Sequence, residues 1–461
     1  MHRSFHRISR LVRPALLLLL TLGHAAPATE TPTPNIVMIV SDDQAWTDYG
    51  FMGHNAIQTP HLDTLSEQGV LFERGYVPTA LCRPSLMTLV TGHYAHRHGV
   101  CGNDPSVKDA PKDSPAYNQR RAQLISYIDR FDTLPERLAE RGYVSHQSGK
   151  WWEGNYKRGG FTDGMTRGFP EKGGRHGDDG LTIGREGLKP IADFIDGAME
   201  VKKPFFLWYA PFLPHSPHTP PDRILNKYEK DGRPLPVAQY FAMCEWFDET
   251  CGELVDLIDQ RGIRDNTLIV YVTDNGWIQN PEVPNRYAPR SKQTSYEGGI
   301  RTPIIVSWPG QLKPARREEL VSSIDLFPTI LAAAGARIPE DRPGLNLWPN
   351  LRNGTPIGRD AIFGEGFAHD IADVENPEAS LLYRWCIEGK WKLLLTYDGV
   401  VSRYQTTHPR TEKRPQLFNL EKDPHETANV AREHPEVVAR LAKRIADWYP
   451  VKQRKVMERY E

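Results

Sequence analysis

Several stretches of the chain run apolar without alternation and then break on charged or amide side chains. "PNIVMIVSDD" (residues 34–43) is one, and "NTLIVYVTDNGW" (residues 266–277) has the same form. A strand with one face in water alternates, whereas a strand covered on both faces reads as a continuous apolar run. "KKPFFLWYAPFLPHSPH" (202–218) predicts a third such strand running into a Pro/His loop, and "RTPIIVSWPG" (301–310) a fourth. Between them the period changes. "HLDTLSEQGVLFERGYV" (61–77) predicts a helix and then a strand. "LPERLAERGYVSHQSGKWW" (134–152) repeats the pattern, with Gly142 as the helix stop. "QYFAMCEWFDETCGELVDLIDQRG" (239–262) predicts a long amphipathic helix, and "VSSIDLFPTILAAAG" (321–335) another.

Alternating strands and helices predict an α/β fold: a mostly parallel central sheet flanked by helices. Residues 153–185 are Gly-rich and polar and predict a surface insertion. Beyond about Asp360 the pattern becomes antiparallel. "LLYRWCIEGKWKLLLTYD" (381–398) predicts a hairpin turning at Glu388-Gly389, followed by a short strand in "PQLFNLEKDPHETANVA" and a closing helix in "EVVARLAKRIADWYPVK". The predicted division is a leader over 1–28, a catalytic unit over 29–360, and a smaller C-terminal unit over 361–461 with an antiparallel sheet plus helix.

Composition adds little to this until the N-terminus is considered. Of 461 residues, 39% are hydrophobic and 25% charged, and the formal net charge of −1 gives no sign of a nucleic-acid partner. The first residues carry Arg3, Arg7, Arg10 and Arg13, then an apolar run over residues 15–22, then "APA". That order predicts a secretory leader, hence a secreted or periplasmic protein. The run is too short to span a bilayer, which takes roughly 20 residues, so no membrane span is expected. Removing residues 1–28 takes away four positive charges and no negative ones, so −1 becomes −5. An odd count of five cysteines leaves at least one unpaired. Cys244 and Cys251 are seven residues apart on one helix, about 10 Å, which is too far for a disulfide.

The candidate chemistry sits where the strands end. Asp42, Asp43, Asp274 and Asn275 offer hard oxygen ligands at two strand ends, suited to Ca²⁺ or Mg²⁺; singly, each is as readily a turn cap. Lys150 and Lys292 are candidate anion binders, and His215 and His218 candidate acids or bases, although such residues are often structural. Cys82 starts a predicted helix, "CRPSLMTLVTG", whose N-terminus lowers a thiol pKa and favours anions. Trp151, Trp152, Trp277 and Tyr287 are candidate sugar-stacking rings or core residues, and "KGGRH" (172–176) a candidate contact for an anionic polymer.

These segments together resemble the type I sulfatases of the alkaline-phosphatase superfamily. The resemblance runs through most of the mature chain, from "NIVMIVSDD" and "TPHLDTLSEQGVLFERGYV" through "CRPSLMTLVTG", "GYVSHQSGKW", "PFFLWYAPFLPHSPH", "TLIVYVTDNG" and "KQTSYEGGIRTPIIVSWPG" to "SSIDLFPTI" and "LFNLEKDPHETANVA". It implies that a maturation enzyme converts Cys82 to formylglycine, whose hydrated aldehyde attacks sulfur with one hydroxyl and expels sulfate with the other. It implies Ca²⁺, with Mg²⁺ the alternative, held by Asp42, Asp43, Cys82, Asp274 and Asn275. Lys150 and Lys292 match the sulfate-binding lysines, with Lys150 also counted as catalytic, and His215 matches the general acid that contacts substrate.

Two positions depart from the family pattern. The family has arginine where this chain has Leu86, in the segment read by the maturation enzyme, and histidine where it has Trp152. On sequence alone, an arginine restored at position 86 is expected to raise the converted fraction. Three readings follow: a sulfuric ester hydrolase acting on an exported or extracellular sulfated small molecule or glycan, plausibly a carbohydrate; a phosphate or phosphonate ester hydrolase on the same fold; or a catalytically impaired binder of sulfated glycans.

Overall fold

A computed structural model describes residues 1–2, 33–108, 110–230, 232–404 and 414–457. The leader expected over residues 1–28 lies, from residue 3 onward, outside the described residues. From Thr33 the chain forms one compact unit.

Its main strands are β1 (Asn35–Ser41), β2 (Val70–Tyr76), β3 (Val144–Gly149), β4 (Phe205–Ala210), β5 (Thr267–Thr273) and β6 (Arg301–Ser307). They lie side by side in the order β2-β6-β5-β1-β4-β3, with short strands added at both edges. β1 pairs in parallel with β4 and β5, and β3 with β4. β6 alone among the six runs against its neighbours β2 and β5. The reason is its connection. The chain leaves β5 at the carboxyl edge and re-enters β6 at that edge without a helical crossover, so the return must be antiparallel. The loop carrying Lys292 is thereby left at the carboxyl edge.

The continuous apolar runs are explained by burial on both faces. In β1, Ile36, Met38 and Val40 join one hydrophobic cluster, and Val37 and Ile39 join another on the opposite face. The helices that cover these faces are α1 (Pro60–Glu67), α2 (Cys82–Thr91), α3 (Leu134–Ala139), α4 (Lys189–Glu200), α5 (Leu235–Gln260) and α6 (Leu326–Ala333). α2, α3 and α6 contribute Leu86, Met87, Leu134, Leu138, Phe327 and Ile330 to the first cluster. α1, α4 and α5 contribute Leu62, Leu65, Ile191, Ile195, Phe247 and Leu254 to the second. Cys244 and Cys251 are buried on α5, and all five cysteines are free.

A second sheet follows, with β7 (Ala361–Phe367), β8 (Leu381–Glu388), β9 (Trp391–Thr396) and β10 (Gln416–Asn419) antiparallel in that order. Its outer cluster is closed by Val437, Leu441 and Ile445 of α7 (Pro435–Trp448). Glu388 still pairs with Trp391, so the hairpin turns at Gly389-Lys390, one residue later than the sequence predicts. Among the described residues no helix is long and apolar enough to cross a membrane.

Residues 153–185 correct the sequence reading. They contain only short turns and a two-residue strand, but they are not a surface appendage. Glu153, Thr166, Gly177, Gly180 and Ile183 are buried, and the segment folds back against the end of β3. Arg175 and His176 are carried into the site by it.

Candidate active site

The first requirement at the carboxyl edge is a turn tight enough to aim side chains inward. Gly149 ends β3 with φ +83°, and a Cβ there would lie 1.9 Å from the Ala210 carbonyl oxygen, so only glycine fits. The next residue, Lys150, donates its backbone N–H to that same carbonyl (2.7 Å) and points its amine into the edge. At the end of β1, Asp43 also takes a left-handed conformation, φ +67°. Its N–H donates to Asp274 Oδ1 (3.1 Å), which locks the ends of β1 and β5 together.

The predicted residues converge. Lys150 Nζ donates to Asp42 Oδ1 (2.5 Å) and lies 3.7 Å from Asp274 Oδ2. Lys292 Nζ is 2.6 Å from both oxygens of Asp43 and 3.2 Å from Cys82 Sγ. Asn275 Nδ2 donates to Asp43 Oδ1 (2.6 Å). Cys82, the first residue of α2, lies 4.0 Å from Asp42 Oδ1. His215 Nδ1–H donates to the Ser216 carbonyl, which leaves Nε2 facing the site, 3.3 Å from Asp43 Oδ2. All of these are buried except His215, whose side chain is 20% exposed and so forms the open wall.

Donor chemistry tests whether a cation fits. Asp42 Oδ2, Asp274 Oδ2 and Asn275 Oδ1 are buried and have no hydrogen-bond partner among the described residues. Buried polar atoms are nearly always paired, so three orphaned oxygens from one predicted ligand set fit a hard cation. Donor atoms of Asp42, Asp43, Cys82 and His215 lie within 4.8 Å of one another. An imidazole nitrogen suits a hard cation poorly beside carboxylates, which leaves His215 to the substrate side.

Electrostatics follow from burial. Burial pushes Asp42 well above the carboxylate range, with Asp274 and Asp43 adding to it against the pull of Lys150. Asp274 is raised by burial too, against the pull of Lys150. Burial alone would lower both lysines; the surrounding carboxylates carry them up instead, and both stay charged. His215 is held well below its usual value by burial, then by Lys150 and Lys292. Burial pushes the Cys82 thiol up to about 12, against the pull of the two lysines. That overturns the expectation of a helix-activated thiol, because desolvation of the anion outweighs the helix N-terminus.

The two departures from the family pattern are neighbours. Leu86 and Trp152 line one cavity of about 10 Å³ together with Arg83, Met87, Val90, Trp151 and Glu153. Arg83 does not face the nucleophile; it is buried and bidentate to Glu153, with both contacts at 2.7 Å. Trp152 backs the site, its ring 5.1 Å from Lys150 Nζ. Trp151 packs edge-on against Phe161 and Trp208 in the core and is no stacking platform. Trp277 is buried behind Lys292 Nζ (5.7 Å) and touches Tyr287, which is half-buried. His218 is wedged between Tyr240 and Trp277, and burial lowers it to about 4.

Sequence reasoning took Arg175 and His176 only as part of a candidate contact for an anionic polymer and did not place them beside the catalytic residues. Arg175 pairs with Asp104 and lies 5.8 Å over the Trp152 ring; His176 sits 5.3 Å from the same ring. The "KGGRH" cluster was the available signal, but its loop gives no periodicity that would aim it inward.

The sulfatase family matches residues 34–336, and the C-terminal family of N-sulphoglucosamine sulphohydrolase matches residues 290–449. The chain is 28% identical to the N-acetylgalactosamine-6-sulfatase of Homo sapiens over 88% of its own length and 82% of that protein. It is 29% identical to arylsulfatase A of Homo sapiens, covering 92% and 89% of the two chains. The crystal structure of Ps i-CgsB superposes with a TM-score of 0.69 at 25% identity, covering 91% of this chain and 94% of that one.

Proposed function

Because the chain belongs to the sulfatase family and is a sulfuric ester hydrolase, we propose that it removes sulfate from a sulfated carbohydrate outside the cytoplasm, with Cys82 converted to formylglycine and a calcium ion held by Asp42, Asp43, Cys82, Asp274 and Asn275. The reading includes export by the leader at 1–28 and the division into a catalytic unit over 29–360 and a C-terminal unit over 361–461. What supports it best is the gathering, around Cys82, of two buried lysines and three ligand oxygens that lack a hydrogen bond. The similarity to an N-acetylgalactosamine-6-sulfatase supports a sugar as the alcohol.

Charge favours sulfate over phosphate. With a divalent cation bound and all three carboxylates ionised as its ligands, the two lysines leave the pocket with one net positive charge. A sulfate monoester brings one negative charge and neutralises the pocket, while a phosphate monoester dianion overshoots it. When present, the modification would supply an oxygen nucleophile in place of a thiol that stays protonated, and the cation would neutralise sulfate charge beside it. Lys150 and Lys292 hold the outer sulfate oxygens, and Trp152 and Trp277 behind them exclude water from their amines. The Ser216 carbonyl holds the Nδ1–H of His215 and so turns Nε2 toward the leaving oxygen. Nε2 acts as the acid once it is protonated; burial and the two lysines hold this imidazole neutral, and a bound sulfate favours protonation by offsetting the lysines.

The test combines mass spectrometry of the Cys82 peptide from the native host with hydrolysis of an aryl sulfate and an aryl phosphate. Formylglycine and selective sulfatase activity are expected. Unconverted Cys82 with sulfated-glycan binding and no turnover would move the reading to the impaired binder, and faster phosphate release would move it to the phosphatase alternative. His215→Ala is expected to slow alkyl sulfates by about 10²–10⁴-fold and aryl sulfates by about tenfold or less, since a phenolate leaves without full protonation. Equal losses on the two substrate types remove the acid role.

A further inference from the structure

Lys292 is held in place from outside the central sheet. Its loop, residues 290–297, has left-handed backbone at Arg290 (φ +59°) and Gln293 (φ +66°), on both sides of the lysine. Non-glycine residues keep that conformation only where the surroundings impose it. One tie comes from the nucleophile side, where Gln293 N–H donates to the Ala80 carbonyl (2.9 Å), two residues before Cys82. The other ties come from the C-terminal part of the chain. Glu297 N–H donates to Glu426 Oε2 (2.6 Å), and Arg290 Nη1 donates to the Glu426 carbonyl (2.6 Å). Tyr296 hydroxyl donates to Gln416 Oε1 of β10 (2.9 Å).

A buried ion cluster sits beneath these ties. Lys392 of β9 is fully buried and bridges Glu297 Oε1 (3.1 Å) and Glu426 Oε1 (2.8 Å), both on residues 1% exposed. The far side of Glu297 is met by the Tyr76 hydroxyl (3.0 Å) and Arg301 (3.7 Å). Two carboxylates buried around one lysine are costly unless the arrangement fixes something, and a buried ionic cluster specifies geometry better than it adds stability. We propose that Glu426 and Lys392 are positioning residues that hold the 290–297 loop so that Lys292 reaches its anion. This rests on the reading of Lys292 as a sulfate-binding lysine.

The closing experiment is a double-mutant cycle in the full-length, calcium-loaded protein, read as the affinity for inorganic sulfate by calorimetry, so that turnover is not required. Glu426→Ala is expected to weaken sulfate binding about tenfold in the native background and to have no further effect once Lys292 is alanine. Glu426→Gln, which keeps an acceptor for the Glu297 N–H, is expected to weaken it by about threefold and serves if the alanine variant does not fold. The same fold-loss with and without Lys292 overturns the proposal and leaves the site reading intact. Hydrogen exchange over residues 290–297 decides the case without a ligand: faster exchange there in the Glu426 variants, with β5 unchanged, supports the clamp, and unchanged protection overturns it. Should the native protein bind no sulfate at all, the sulfate-site reading fails, and exchange alone still decides whether the clamp holds the loop.

Discussion

Exhaustive chelation is expected to abolish hydrolysis of sulfate esters and to lower the melting temperature more at pH 8 than at pH 5. Without a cation, Asp42, Asp43 and Asp274 pair with Lys150 and Lys292 and, where they are ionised, repel the anion the pocket has to bind. Loss of the cation removes more charge than one hydrogen-bond donor does, so a fall in kcat/KM of about 10³-fold or more is expected. A cation present at 1,000 times its dissociation constant stabilises the fold by about 4 kcal/mol, and chelation removes that.

The pH dependence follows from the two raised carboxylates. In the cation-free protein Asp42 and Asp274 bind protons more tightly folded than unfolded, both because of burial. Folded protein then carries more protons than unfolded protein once the pH exceeds the ordinary carboxylate value. Stability is therefore present below that value and is lost as pH rises toward the raised folded values. With a cation bound, the ionised carboxylates are ligands and the loss disappears. The melting-temperature gap between loaded and chelated protein should widen with pH. A gap that is zero, or that narrows with pH, removes the cation from the site.

The strand ends were the legible part of the chain. Continuous runs such as residues 34–43 and 266–277 follow from sheet faces covered on both sides, and the groups after them had to meet at one edge. Asp42, Asp43, Lys150, His215, Asp274 and Asn275 were all readable in this way, whereas Lys292, far along a loop, was matched through the family resemblance. What sequence could not supply were consequences of packing. The Cys82 thiol reads as activated from its place on a helix, and only its burial reverses that. Arg83 stands next to the nucleophile in sequence, yet it turns away to Glu153. Arg175 and His176 lie in a loop with no period, and Glu426 and Lys392 reach Glu297, in the loop of Lys292, across 129 and 95 residues of chain.

Leu86→Arg alone is expected to destabilise the protein, although arginine is the residue that the family pattern has at that position. Leu86 is 4% exposed, and the cavity it lines has about 10 Å³, room for barely one water. A guanidinium there would have to displace the Trp152 ring or the helix. It would also meet Arg83, whose carboxylate partner Glu153 is already taken by two contacts of 2.7 Å. An unpaired buried charge beside a second cation costs about 3–5 kcal/mol. Trp152→His removes most of the indole that fills this space and brings in a side chain able to hydrogen-bond. The double variant Leu86→Arg with Trp152→His is therefore expected to be more stable than the two single changes predict, with a coupling of about 1 kcal/mol or more. Denaturant melts of the wild type and the three variants measure the coupling. Mass spectrometry of the Cys82 peptide, read separately, measures conversion, so a gain in formylglycine and a loss of folded protein can be told apart in Leu86→Arg. Leu86 and Trp152 would then be one exchange rather than two lesions: an apolar pair standing where the family pattern has a polar one. A Leu86→Arg protein as stable as wild type, with additive effects in the double variant, would show instead that the two positions vary independently.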